Sequence, residues 1–154
     1  MDSLTVVRDV ASRLGAALAS AGVTGWAVVT DVSAPRVADA RVLELRLVAA
    51  APVTPGLSTY RLDCQLVIRG RADNESQAAV TAADVLRLFS AAQVCVQGLP
   101  GVCVEVGGEV VAQFLDSRLD QLASGVLADS LQVAPVGALV LWVHFADDFL
   151  ESVE

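Results

Sequence analysis

The sequence contains no lysine: all ten of its basic residues are arginine. It has one histidine and three cysteines, and only 5% of it is aromatic. Each scarcity excludes something. A metal site needs several His, Cys or carboxylate ligands in one place, and a lone His144 supplies little of that. Cys64, Cys95 and Cys103 are odd in number and no two have C-x-x-C spacing, so neither a disulfide framework nor a zinc site is expected. Each lies in an apolar run and reads as a small buried hydrophobe. With so few aromatics, the core must be built from Val, Leu and Ala. G-x-S-x-G, the phosphate-binding P-loop and G-x-G-x-x-G are also missing. A pairing of His144 with Cys95 or Cys103 is conceivable, but no local signature supports it. Asp116, Asp120 and Asp129 have ordinary surface spacing. No catalytic, metal or cofactor residue is therefore assigned, and the chain is not expected to be an enzyme.

What is present is apolar and acidic. The 154 residues are 55% hydrophobic with a net charge of −8, a mean hydropathy of +0.60 and a pI near 4.5. The length suits one domain over residues 1–154, with an acidic tail from about 147. Soluble proteins are usually about 45–50% apolar. The excess fits burial against other subunits, or Ala/Val/Gly-rich coding, which the missing lysine also suggests. The acidity argues against a nucleic-acid binder, which would carry a basic face, and against an anionic-membrane binder. The most apolar run, Val133 to Phe145, holds a Pro, a Gly and a His and is short of the roughly 18 residues of a membrane span. Met-Asp-Ser leads straight into an amphipathic pattern rather than a signal peptide. A soluble protein made inside the cell is expected.

Spacings of three and four among Leu4, Val7, Ala11, Leu14 and Leu18 predict a helix over 3–20, capped by Asp2 or Ser3 and ended by Gly22. Gly25–Asp31 reads as a strand and Ser33–Arg36 as a loop. Over Arg41–Val48, Leu43, Leu45 and Leu47 alternate with Glu44 and Arg46. Over Tyr60–Arg69, Leu62, Cys64, Leu66 and Ile68 alternate with Arg61, Asp63 and Gln65. Two such strands should pair antiparallel across the breaker cluster Ala51–Gly56, with Glu44 and Arg46 beside Arg61, Asp63 and Gln65. A helix is predicted from Glu75 to Phe89. After it come short strands at Val94–Val96 and Val102–Val106, a Gly107-Gly108 hairpin turn and a short helix at Phe114–Ala123. Two more strands, Val126–Val133 and Ala138–Phe145, are separated by Ala134-Pro135. The last carries Leu139, Leu141, Val143 and Phe145 on one face and Val140, Trp142 and His144 on the other, as if covered on both sides. The class is α+β: an antiparallel β-sheet with two main helices packed on it and extra C-terminal strands.

The turn Arg69-Gly70-Arg71-Ala72-Asp73-Asn74 could be an anion site at a helix start. Asp73 and Glu75 would repel an anion there, and Asn74 with Gln77 approximates a capping box. It reads as a joint. Arg46, Arg61, Arg69 and Arg71 could line one polar face. With Glu44 and Asp63 interspersed, that face is either a solvated surface or a subunit interface set by Arg–carboxylate pairs.

The segment Leu4-Thr5-Val6-Val7-Arg8-Asp9, the strand Val42-Leu43-Glu44-Leu45-Arg46-Leu47, and Leu66-Val67-Ile68-Arg69-Gly70 entering the alanine-rich stretch Glu75–Phe89 together resemble the tail terminator proteins of long-tailed bacteriophages. These are also labelled tail completion or minor capsid proteins. The resemblance covers about residues 3–92 and is one of arrangement. It implies a structural virion protein at the head-proximal end of the tail, assembled in the host cytoplasm, without catalysis or cofactor. It implies a homo-oligomeric ring, typically hexameric, that caps the tail tube, halts its polymerisation and presents a surface to the head-completion or connector protein. DNA would pass an acidic lumen without specific binding. On this basis Glu44, Arg46, Arg61, Asp63, Arg69 and Arg71 are candidate subunit or tube contacts. A head-completion or neck connector, or a small ligand-binding module or enzyme with a pocket near Cys95, Cys103 and His144, are the alternatives.

Overall fold

The computed structural model describes residues 2–23, 26–30, 41–53, 58–69, 82–122 and 133–146. In chain order these form helix α1 (Asp2–Ser20), strands β1 (Trp26–Val29), β2 (Arg41–Pro52) and β3 (Thr59–Arg69), helix α2 (Ala82–Gln97), and strands β4 (Cys103–Val106), β5 (Glu109–Gln121) and β6 (Val133–Phe145). The expected α+β class and the order helix, three strands, helix, strands are both present. The strands make one six-stranded sheet in the order β1-β2-β3-β6-β5-β4. No helix among the described residues is long and apolar enough to cross a membrane.

α1 buries Val6, Val7, Val10, Ala11, Leu14 and Leu18, the wide stripe of a helix lying on a sheet. Leu4, expected on that stripe, is exposed. Gly22, at φ +76°, ends the helix. The Val23 amide donates to the Leu18 carbonyl at 2.9 Å and the Gly22 amide to Ala19 at 3.1 Å, the paired bonds of a left-handed cap that glycine adopts freely. α1 lies against β1 and β2, α2 against β5, and the helices touch each other. Their common core takes in Leu43, Leu45, Leu62, Leu66, Leu88, Phe114, Leu139, Leu141 and Phe145. Both helices therefore sit on one face of the sheet.

Four expectations are corrected. The sheet is mixed, because β1 pairs parallel with β2. Two parallel strands cannot be joined by a tight hairpin, and the long segment 30–40 connects them. Val94–Val96 belongs to α2, not to a strand. Leu88, Ala91, Ala92 and Val96 are buried at helical spacing, and that packing overrides the β preference of valine. Phe114–Ala123 is not a helix, since β5 runs through Gln121. A bulge at Leu115 interrupts its alternation, so the apolar residues mimic helical spacing. Finally, β6 continues through Ala134-Pro135. Its register shifts beside Pro135, the kind of irregularity where a residue without an amide proton is tolerated. The loop at 33–36, residues 70–74 of the turn, residues 75–81 of the predicted helix, residues 126–132 of the strand expected over Val126–Val133 and the tail from 147 lie outside the described residues.

β2 and β3 pair antiparallel as expected, from Val42↔Arg69 to Pro52↔Tyr60. Gly107 and Gly108, at φ +61° and +86°, make the turn between β4 and β5, the left-handed pair that a two-residue hairpin requires. Gly137 has a different reason. A Cβ there would lie 3.3 Å from Leu119 Cδ1 and 3.4 Å from both Leu66 Cδ1 and Phe89 Cε1. It is the point where α2 rests on the sheet. Gly137→Leu is expected to destabilise the fold by about 1–3 kcal/mol through overpacking, read as a lower urea midpoint. An unchanged midpoint would show that Phe89 does not close over β6.

Candidate subunit interface on the helix-free face

The sheet face turned away from α1 and α2 carries the charges. Residues directly opposite on neighbouring strands point to the same side, so the register defines rows across β3, β6 and β5. The rows are Thr59–His144–Gln113, Arg61–Trp142–Asp116, Asp63–Val140–Arg118 and Gln65–Ala138–Asp120. β2 extends this face with Glu44 and Arg46, the latter opposite Gln65.

The described arginines of this face, Arg46, Arg61 and Arg118, are each paired with a carboxylate rather than forming a basic strip. Arg61 Nε lies 3.0 Å from Asp63 Oδ1, Arg118 Nε 3.1 Å from Asp120 Oδ2, and Arg46 Nη2 3.2 Å from Glu44 Oε1. Each pair joins residues two apart on one strand. Arg61 also lies over the Trp142 ring, 5.8 Å from its centroid, a cation–π contact. Thr59 Oγ1 and His144 Nδ1 share a hydrogen bond of 3.3 Å.

Glu44, Arg46, Arg61 and Asp63 thus share the face, but not as four cross-strand partners. Glu44 lies opposite Val67, and past a bulge at Val48 Asp63 lies opposite Ala49 and Arg61 opposite Ala51. The Arg69 backbone pairs with Val42 and Val133. Its side chain and the whole of Arg71 lie outside the described residues. Asp116, Arg118 and Asp120 join the face without having been assigned to it, beside Trp142 of β6. The bulge at Leu115 is the cause, because without it Asp116 would share the core side with Phe114. The legible signal was the run Asp116-x-Arg118-x-Asp120. Trp142 is half-buried and His144 exposed, so β6 is not fully covered on this side.

The three pairs differ in burial. Asp63 and Arg61 expose 39% and 49% of their side chains and Arg118 and Asp120 more, whereas Glu44 exposes 3%. Exposed pairs contribute little, about 0.2–1 kcal/mol. A buried carboxylate that loses a charged hydrogen-bond donor costs more. Arg46→Ala is expected to cost about 1–3 kcal/mol, and Arg61→Ala under about 1 kcal/mol. Equal urea midpoints for the two variants would contradict this ranking.

Chemistry elsewhere is sparse. Cys103 and His144 stand on either side of Gln113 in the register, two strand spacings or about 10 Å apart, too far for a nucleophile–base hydrogen bond. Two open grooves lie in other places. One of about 410 Å³ runs between α1 and β1, lined by Arg8, Ser12, Gly15, Trp26 and Val28. The other, about 400 Å³, lies between the end of α1 and α2, beside Val23, Leu86, Ser90 and Val94. Among the described residues no group of three or more His, Cys, Asp or Glu could hold a metal ion.

Burial, with the neighbouring Asp63 carboxylate, pushes the Cys64 thiol up to about 12. Burial also raises Cys95, against the lowering effect of Arg13. A thiol held protonated is a poor nucleophile. Cys64 is expected to resist iodoacetamide at pH 8 until the protein is unfolded, and rapid labelling of the native protein would contradict its burial. The unfolded thiol ionises near pH 9 and the folded one near 12. The folded state therefore keeps this contribution below pH 9 and loses it as pH rises from 9 towards 12. Compared with Cys64→Ala, the parent protein should lose roughly an extra 1 kcal/mol per pH unit above 9.

The sequence matches no protein-family model and no curated protein.

Proposed function

We propose that the chain is a structural virion subunit: a tail terminator that forms a ring, of six copies, at the head-proximal end of a phage tail tube. There it stops polymerisation of the tube protein and meets the head-completion or connector protein. The observation that carries this reading is the order of elements. A long amphipathic helix, three strands with β2 and β3 as a long antiparallel pair, a second helix following β3, and further strands all join one sheet. That is the arrangement on which the resemblance rests, and two further features agree with it. The helix-free face presents paired charges suited to registering a subunit rather than a pocket suited to a substrate. The net charge of −8 would let DNA pass without sticking. Glu44, Arg46, Arg61, Asp63, Arg69 and Arg71 are the proposed subunit or tube contacts, and no cofactor is needed for this role. The protein would be assembled in the host cytoplasm and end in the virion tail.

The test is native mass by light scattering, with negative-stain images, alone and after mixing with tail tubes. Six copies of a 16.0 kDa chain weigh 96 kDa. A ring near that mass, free or on tube ends, is expected. A species that forms no ring under either condition would remove the reading.

A further inference from the structure

The geometry points to a second copy of this chain as the partner of the helix-free face. The proposal rests on reading that face as a subunit contact, not on the ring. Its basis is the sign of charge at each place in the rows. Arg61 and Asp63 stand on β3, Asp116 and Arg118 on β5, with Trp142 and Val140 between them on β6. Arg61 and Asp63 each have the opposite charge across β6 in their own row.

Now let two copies meet face to face about a two-fold axis running along β6. The rotation carries β3 of one copy over β5 of the other and keeps the rows aligned. Arg61 then faces the partner's Asp116, and Asp63 faces the partner's Arg118. Gln65 faces the partner's Asp120, a donor against a carboxylate. On the axis, Trp142, Val140 and Ala138 each meet themselves and supply the apolar centre. A two-fold contact repeats every pairing twice, so one complementary row becomes two. Face-to-face sheets pack with their strands nearly aligned, which this axis provides. In both rows that carry a charge on each flank, the rotation sets opposite charges together.

The side chains are already placed for this. Arg61, Asp116, Arg118 and Asp120 are exposed and Asp63 is partly so. The cation–π contact of Arg61 with Trp142 and the ion pairs along the strands hold the guanidinium groups within the face. They would extend into four-membered charge networks on pairing. The patch spans about 10 Å from β3 to β5 and about 20 Å along the strands. That is small beside the roughly 800 Å² per partner of a standard interface. The pair is accordingly weak, formed at about 0.1–1 mM and loosened by salt.

Sedimentation equilibrium of the full chain at up to about 1 mM and low salt tests it, with circular dichroism to show that each variant is folded. The parent protein is expected to approach twice 16.0 kDa, or 32 kDa. Arg61→Asp and Asp116→Arg, each reversing an exposed charge, should each weaken the pair by about tenfold or more. Combining them restores opposite charges across the interface and should restore the pair. If Arg61→Asp with Asp63→Arg restores it instead, the axis runs across β6 and self-pairing still stands, because that rotation sets Arg61 against the partner's Asp63. A parent protein that stays at 16 kDa, single reversals that leave the mass unchanged, or failure of both double variants would overturn the proposal. A 96 kDa ring indifferent to these reversals would overturn it too, while leaving the tail-end reading in place. A 32 kDa pair that never forms rings on tubes would do the reverse.

Discussion

Leu141 and Trp142 are neighbours in β6 and face opposite ways. That alternation, imposed by the two-residue period of a strand, is the constraint on which the rest of the molecule depends. β6 lies between β3 and β5 and pairs with both along nearly its whole length. Its one side, Leu139, Leu141, Val143 and Phe145, is buried under the helices. Its other side, Ala138, Val140, Trp142 and His144, is the spine of the charged face. A slip of one residue in the pairing of β6 would exchange the two sets. It would carry Trp142 and His144 into the core and strand four apolar side chains among arginines and aspartates. The core thus fixes the register, and the register fixes which charges meet.

Bulges decide how the charges are distributed. Phe114 is buried against the helices and Asp116 lies beside Trp142, although residues two apart on a regular strand share a side. The extra residue at Leu115 turns β5 over between them, and the one at Val48 does the same to β2 between Leu47 and Ala49. Both bulged residues are exposed. Bulges re-aim side chains in this way at a local cost in ladder hydrogen bonds. Here the bulge in β5 brings Asp116, Arg118 and Asp120 to the face on which the regular strand β3 already places Arg61 and Asp63.

The same bulges mark where sequence reading succeeds and fails. α1 was legible because Val7, Ala11, Leu14 and Leu18 repeat without interruption and Gly22 closes the helix. The β2–β3 pair was legible because Leu43, Leu45, Leu62, Cys64 and Leu66 alternate cleanly up to the bulge at Val48. β5 was misread because Leu115 breaks its period, leaving Phe114, Leu115, Leu119 and Leu122 at helical intervals. The last turns of α2 were misread because Val94-Cys95-Val96 favours strands locally. Packing on the sheet favours the helix there, with Ser117 Oγ donating to the Val96 carbonyl at 2.6 Å and Ala92 and Val96 buried. The parallel placement of β1 has no local signature at all. Half of the charged face therefore lay in view and half did not: Arg61 and Asp63 sit in a regular strand, Asp116 and Arg118 beyond a bulge.

A face that pairs with itself by a two-fold rotation is a closed contact. Once two copies have met, neither offers the same surface to a third. A ring around a tube is different. The tube has a direction, all subunits of the ring must point the same way along it, and each contact is head to tail. On the proposed reading the two arrangements cannot use one face at once, so the pair would have to give way to the ring. In the free protein the charged faces would be sheltered against each other, and chains would not add to one another without limit. At a tube end, six equivalent positions and the contacts of the tube would have to outweigh the pair. A small, charged and weakly apolar contact suits that order of events, because it is easily given up. A broad apolar one would hold the subunits in pairs and keep the ring from forming.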